Sequence, residues 1–153
     1  MQYAILAASM TDTSEPGEAA LFYKKAIKIS PTERNRAFNR RLYGRALILA
    51  GQYETGRSEM ISAADAIAKL SSTAGYNSEA MKTTRADVYI RLIWAEINMG
   101  WTTYVKDDFA TLKMLSADVL DSGRRSTLQN GIDELNTKIQ SLQLQPAALQ
   151  KIS

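Results

Sequence analysis

Apolar residues recur at intervals of three and four along most of the chain, in stretches that end at glycine, proline or short polar runs. This spacing places apolar side chains on one face of an α-helix, and no stretch sustains the alternation that is typical of β-strands. The pattern predicts seven helices, over residues 2–11, 16–29, 32–50, 53–69, 78–99, 103–121 and 124–144. The sequence therefore predicts an all-α protein.

Several residues at the predicted boundaries have a chemical reason to be there. Asn77 or Ser78 can cap the helix that follows, because a side-chain oxygen accepts a hydrogen bond from a free backbone amide. Gly51, Gly100 and Gly123 each follow a helical stretch, where glycine closes a helix in the left-handed conformation without a Cβ clash. These residues predict where the neighbouring helices begin and end.

The 153-residue chain contains neither cysteine nor histidine. This excludes disulfides, thiolate nucleophiles, Cys- or His-based metal sites and a Ser-His-Asp triad. The adjacent acids Asp107-Asp108 and Asp133-Glu134 lie on predicted helices, where neighbours diverge by about 100° and cannot share a proton or a metal ion. We therefore expect no enzymatic activity, no cofactor and no metal. A Ser–Lys or two-carboxylate site assembled between helices stays open.

Small and large residues follow a similar order in the first two pairs of predicted helices. The second pair has Tyr43-Gly44, the turn Gly51-Gln52-Tyr53, and then Gly56, Met60 and Ala63. The first pair has Leu6-Ala7, followed by Ala19, Tyr23, Ala26 and Pro31. Both pairs resemble tetratricopeptide (TPR) repeats, in which small residues let two antiparallel helices approach closely while large residues fill the space between them.

The resemblance to TPR proteins implies a TPR-like α-solenoid of about three helix pairs with a final capping helix. The implied single domain spans 1–144, with pairs over 2–29, 32–69 and 78–121, a capping helix over 124–144 and a tail over 145–153. The third pair fits weakly, because Ile93, Val105 and Leu112 stand where the family has small residues. Long first helices and a polar insertion over 69–77 favour a compact, irregular stack. A generic helical bundle is the alternative.

The last predicted helix carries a single narrow apolar seam. Its residues are spaced four, three, four and three apart: Leu128, Ile132, Leu135, Ile139 and Leu142. We expect this seam to cover the open end of the stack, because terminal repeats must bury an apolar face. A dimerising coiled coil is the alternative, in which the same residues form a self-association seam.

The net charge of +3 hides a strongly basic segment. Residues 24–45 contain eight basic residues and one acid, Glu33, and therefore carry +7, which leaves −4 for the rest of the chain. On a helix, Arg34, Arg41 and Arg45 fall within a stripe of about 40°. Arg36 and Arg40 fall on the opposite side of the same helix.

The resemblance also implies a binding groove, since the first helices of successive TPR pairs line a concave surface. It would place Arg41, Arg45 and Ile48 in that groove, with Arg34 on the same stripe. The third pair would add Ile90, Trp94 and Ile97. Arginines beside an indole and aliphatic side chains suit an acidic, amphipathic peptide of a partner protein. The alternative is that these arginines form a solvated face.

Two other functions are weighed against this binding module or adaptor. A structural subunit of a homo-oligomer or large assembly would bring residues 24–45 against the acids of a neighbour's helix, namely Asp107, Asp108, Asp118 and Asp121. Nucleic-acid binding is less favoured, because Tyr23, Phe38 and Tyr43 all fall on predicted core faces.

No apolar stretch is long enough to cross a membrane, so we expect no membrane partner. The first nine residues lack the positive start of a signal peptide, which favours a cytoplasmic location.

Overall fold

A computed structural model describes the backbone of residues 15–143 and the side chains of residues 15–142. Within that range the helices are α1 Pro16–Ile29, α2 Glu33–Leu49, α3 Tyr53–Leu70, α4 Ser78–Asn98, α5 Val105–Ala117 and α6 Ser122–Gln143. These residues contain no strand, so the prediction of an all-α protein is confirmed. The predicted helix over 2–11 and the tail over 145–153 lie outside the described residues.

Most of the predicted boundary residues act as expected. The Asn77 side chain accepts a hydrogen bond from the backbone N–H of Ala80 at 2.9 Å, so Asn77 caps α4. Gly51 and Gly100 follow α2 and α4 with φ of 92° and 68°, a left-handed conformation that other residues rarely adopt. The prediction that Gly123 ends a helix is wrong, because it lies in the first turn of α6.

Helix α5 is shorter than its predicted span of 103–121, because contacts with α4 hold the connection to α6 in a non-helical conformation. The Glu79 carboxylate of α4 accepts the backbone N–H groups of Leu120 and Asp121, each at 2.6 Å. Val119, between the two helices, is fully buried. The Asp121 carboxylate then accepts the Arg124 N–H at 2.9 Å and so starts α6.

The backbones of α2 and α3 touch where the sequence places two glycines. A Cβ on Gly44 would lie 2.6 Å from the Gly56 carbonyl oxygen, and a Cβ on Gly56 would lie 2.5 Å from that of Gly44. Neither position has room for a side chain. The close approach that the spacing of small residues predicts for this helix pair is therefore present.

Each helix packs on its neighbours in sequence, and alternate helices also meet. Helix α4 contacts α3 and α5, and in addition it contacts α2 and α6. Contacts between sequence neighbours and between alternate helices are consistent with a helical repeat. The main core surrounds α4, and a smaller one joins Ala19, Ala20 and Tyr23 of α1 to Ala46 and Leu47 of α2.

The final helix covers the end of the main core. Leu128, Ile132, Leu135 and Ile139 are at most 9% exposed, and Leu142 packs against them half-buried. This burial in the chain's own core is what the expectation of a capping helix requires. The alternative, a self-association seam, would need these residues to be exposed, whereas in the single chain α6 buries them against the chain's own core.

Candidate protein-binding face

One side of α2 presents a stripe of basic side chains around a phenylalanine. Arg34, Phe38, Arg41 and Arg45 follow each other at intervals of four, three and four, which keeps them within about 60° of the helix circumference. The guanidinium carbons of Arg34 and Arg41 lie 5.2 and 5.1 Å from the Phe38 ring centroid. Both arginines thus bracket one half-buried aromatic ring.

Two further arginines of α2 are directed elsewhere, as the helical positions predict. Arg40 Nε lies 3.2 Å from Glu59 Oε2 on α3. Arg36 Nη1 donates a hydrogen bond to the Ser30 carbonyl at 3.1 Å. The basic residues of α2 are therefore divided between two surfaces.

A second stripe on α4 lies beside the stripe of α2. Asp87, Arg91 and Trp94 follow each other at intervals of four and three, which places them on one side of the helix. Arg91 Nε donates a hydrogen bond to Asp87 Oδ2 at 3.0 Å. Arg41 Nη1 lies 4.0 Å from the same oxygen, and this contact joins the two helices.

We call this surface the arginine face. It consists of Arg34, Phe38, Arg41 and Arg45 from α2 and of Asp87, Arg91 and Trp94 from α4. Among the ion pairs of residues 15–142, the face's four arginines take part only through Asp87, which pairs with Arg41 and Arg91. The arginine face therefore carries an excess of three positive charges.

Arg41 is the most constrained of these cations. Its side chain is 21% exposed, and its Nε atom is buried without a hydrogen-bond partner among the described residues. Burial lowers the pKa of Arg41 and the Arg91 charge lowers it further, while Asp87 opposes both. A guanidinium that has lost water and faces other cations gains from an additional carboxylate.

The prediction that three isoleucines line the groove is wrong. Ile48, Ile90 and Ile97 are 0%, 9% and 7% exposed, and all three belong to the main core. Ile48 lies against Gly56, where α2 and α3 touch, and Ile90 lies beneath Gly131 of α6. Their apolar surface is used inside the fold and is not available to a partner.

Arg34, Arg41, Arg45 and Trp94 retain accessible surface. Arg34 is exposed, while Arg41, Arg45 and Trp94 are half-buried. Trp94 packs against the main core with part of its ring system and leaves the remainder accessible. Of the seven residues expected in the groove, these four lie on the arginine face.

A buried polar cluster, which sequence reasoning missed, lies between α3, α4 and α5. Arg57 Nη2 and Nε donate hydrogen bonds to the two carboxylate oxygens of Asp108 at 2.7 and 3.1 Å. Asp108 is 2% exposed, so it is not one of the surface acids that the assembly hypothesis requires. Arg57 also stacks 3.9 Å over the Tyr104 ring.

Glu96 completes this cluster. It is fully buried, and neither of its carboxyl oxygens has a hydrogen-bond partner among the described residues. Burial and then the neighbouring Asp108 charge raise the pKa of Glu96 to about 9. Glu96 is therefore protonated at neutral pH. No local motif could reveal the cluster, because Arg57 and Asp108 are 51 residues apart.

The described cavities do not lead to these carboxyl groups. The largest of three is a groove of about 530 Å³ between α5 and α6, with Lys113, Ser116, Arg125 and Gln129 in its lining. The other two are about 230 and 130 Å³ and adjoin α2. Among the described residues, Glu96 and Asp108 line none of the three, so the two acids have no described space for a substrate.

Among the helices of the described region, none combines the length and the apolar character that crossing a bilayer requires. The chain matches no protein-family model, no curated protein and no solved structure.

Proposed function

We propose that this chain is a non-catalytic protein-interaction module that binds an acidic segment of a partner protein on its arginine face. The observation that supports this most is the convergence of Arg41 and Arg91 on the single carboxylate of Asp87, with Arg45 close enough to Arg41 for its charge to act on that group. Carboxylates of a partner would form charge-assisted hydrogen bonds with the guanidinium groups. Phe38 and Trp94 would supply the apolar contacts that an amphipathic segment needs.

We further propose that the helix pairs form a TPR-like stack in which α2 and α4 line the binding surface. The glycine contact between α2 and α3 supports this proposal, as do the contacts of α4 with α2 and α6. In such a stack, α2 and α4 are the first helices of successive pairs. The arginine face lies on these two helices.

The partial burial of Arg41 favours a binding surface over a merely solvated one. Solvated arginines extend into water, whereas Arg41 has a buried Nε and two neighbouring cations. Nucleic-acid binding has less support, because Tyr23 is buried and offers no stacking surface to a base. Phe38 and Tyr43 are half-buried rather than in the core as predicted, and the Phe38 ring is already covered by Arg34 and Arg41.

The alternative function, a subunit of a larger assembly, keeps one supporting observation. Met114 and Leu120 are 66% and 76% exposed, although both are large apolar residues. Light scattering coupled to size-exclusion chromatography tests this alternative, because a monomer at all salt concentrations contradicts it. Of its two specific contacts, the self-association seam of α6 is buried. Among the four acids expected to meet residues 24–45 of a neighbour, Asp108 is buried, whereas Asp107, Asp118 and Asp121 are exposed.

The binding proposal is tested with a fluorescein-labelled amphipathic peptide of glutamate and leucine, followed by fluorescence anisotropy. We expect Arg41→Glu combined with Arg45→Glu to weaken binding about tenfold or more, because two attractive contacts become repulsive. The matched control is Lys24→Glu combined with Lys28→Glu, which changes the charge equally at exposed positions of α1. This control should bind within about twofold of the unaltered chain.

Further controls separate loss of binding from unfolding and from nucleic-acid binding. Circular dichroism verifies that both double variants stay helical, and Arg41→Gln with Arg45→Gln provides a milder pair if the glutamates unfold the chain. A peptide with glutamine in place of glutamate should bind weakly. Equal binding of the acidic peptide by the unaltered and the Arg41/Arg45 variants contradicts the proposal, as does preferential binding of a labelled single-stranded oligonucleotide.

A further inference from the structure

Asp87 occupies a special position on the arginine face. Its Oδ2 atom accepts a hydrogen bond from Arg91 Nε at 3.0 Å and lies 4.0 Å from Arg41 Nη1. The Asp87 side chain is 36% exposed, so it lies at the surface, where a partner would approach. One carboxylate thus stands between two guanidinium groups of different helices.

These contacts leave some hydrogen-bond donors of Arg41 and Arg91 without a close carboxylate. Arg91 remains 51% exposed, and the distance from Asp87 to Arg41 is too long for a hydrogen bond. The Nε atom of Arg41 has no hydrogen-bond partner among the described residues. That atom is buried, but Arg41 Nη1 lies 4.0 Å from Asp87 and could donate a hydrogen bond to a carboxylate in a better position.

We propose that Asp87 is an internal competitor, which stands in for a carboxylate of the partner and limits the affinity of the arginine face for acidic segments. This inference rests on the proposed function and specifies its regulation. An incoming aspartate or glutamate must share or displace the contacts of Asp87 with Arg41 and Arg91. It must also overcome the repulsion between two nearby carboxylates.

Removal of the negative charge of Asp87 should strengthen binding of the acidic peptide. Asp87→Asn keeps the size of the side chain and an oxygen that accepts a hydrogen bond from Arg91, but it removes the negative charge. We expect the variant to bind the glutamate–leucine peptide about three- to tenfold more tightly, in the range that partly exposed ion pairs allow. Its affinity should also fall more steeply with added salt, because more positive charge is uncompensated.

Asp65→Asn is the matched control. Asp65 Oδ1 lies 3.7 Å from Arg85 Nη2, so this pair also joins an aspartate to an arginine of α4. Arg85 and Arg91 lie on different sides of α4, because they are six positions apart. The same change of charge at Asp65 should therefore alter peptide affinity by less than about twofold.

The outcomes separate this inference from the proposed function. If Asp87→Asn and the unaltered chain bind the peptide equally, while Arg41→Glu with Arg45→Glu abolishes binding, the competitor role is wrong and the binding face stands. If neither the unaltered chain nor Asp87→Asn binds the peptide, both proposals fail. Equal gains from Asp87→Asn and Asp65→Asn also contradict the competitor role, since they indicate a general effect of net charge. Thermal unfolding verifies that each variant is folded.

Discussion

Replacement of Glu96 by glutamine should stabilise the protein at neutral and alkaline pH. In the folded chain the pKa of Glu96 rises from its ordinary 4.5 to about 9, because the carboxyl group is fully buried beside Asp108. Below about pH 4.5 both the folded and the unfolded state are protonated at Glu96, so folding carries no ionisation penalty. As the pH rises towards 9, only the unfolded state ionises readily, and stability is lost.

The magnitude follows from the size of the shift. Each pH unit between the two pKa values removes about 1.4 kcal/mol from the free energy of unfolding, so the loss at pH 7 is about 3 kcal/mol. Glutamine does not ionise, and Glu96→Gln therefore avoids this loss. The difference in stability between the variant and the unaltered chain should grow steadily between about pH 5 and about pH 9.

Urea denaturation followed by circular dichroism measures this difference across the pH range. The ion pair of Arg57 and Asp108 is present in both proteins, so its contribution cancels in the comparison. Glu134→Gln on α6 is the control, because Glu134 is exposed, and its pH profile should follow that of the unaltered chain. Parallel pH profiles for Glu96→Gln and the unaltered chain would refute the argument that Glu96 is buried and protonated.

Two further substitutions test the packing that supports the arginine face. Asp108→Ala removes the partner of Arg57 and should lower the free energy of unfolding by about 3 kcal/mol, measured by urea denaturation; an effect below about 1 kcal/mol contradicts a buried ion pair. Gly44→Ala introduces a Cβ 2.6 Å from the Gly56 carbonyl oxygen and should destabilise the chain by about 2 kcal/mol or more. Gly17→Ala, where the new Cβ meets nothing within 4 Å, is its control and should leave the melting temperature nearly unchanged.

Much of the helical architecture could be predicted from the sequence, because helix formation and helix caps depend on residues close together in the chain. The span of α1 and the cap at Asn77 follow from the local sequence, and the tight contact of Gly44 with Gly56 was implied by the resemblance to TPR repeats. The end of α5 could not be predicted in this way. It depends on Glu79, which belongs to another helix and binds the backbone of the connection to α6.

Three arginines of α2 and Trp94 were predicted for the arginine face, and all four lie on it. The three isoleucines predicted with them lie in the core, and Phe38 lies on the face although it was predicted for the core. The positions of Arg34, Arg41 and Arg45 on one side of α2 follow from the period of the helix. Whether Ile48 or Ile90 faces a partner or the core depends on how closely the next helix packs. That information lies in Gly56 and Gly131, which approach these isoleucines from other helices.

The central position of α4 has a consequence for how the protein comes apart. In a solenoid of many repeats each repeat meets only its neighbours, and the array loses structure from its ends, whereas a stack of about three pairs is short enough for one helix to meet most of the others. Here α4 meets α2, α3, α5 and α6, so its departure removes the support of four helices at once. The region from α2 to α6 should therefore melt in one all-or-none step, while α1, which has a separate small core on α2, should be the first of the described helices to lose its structure.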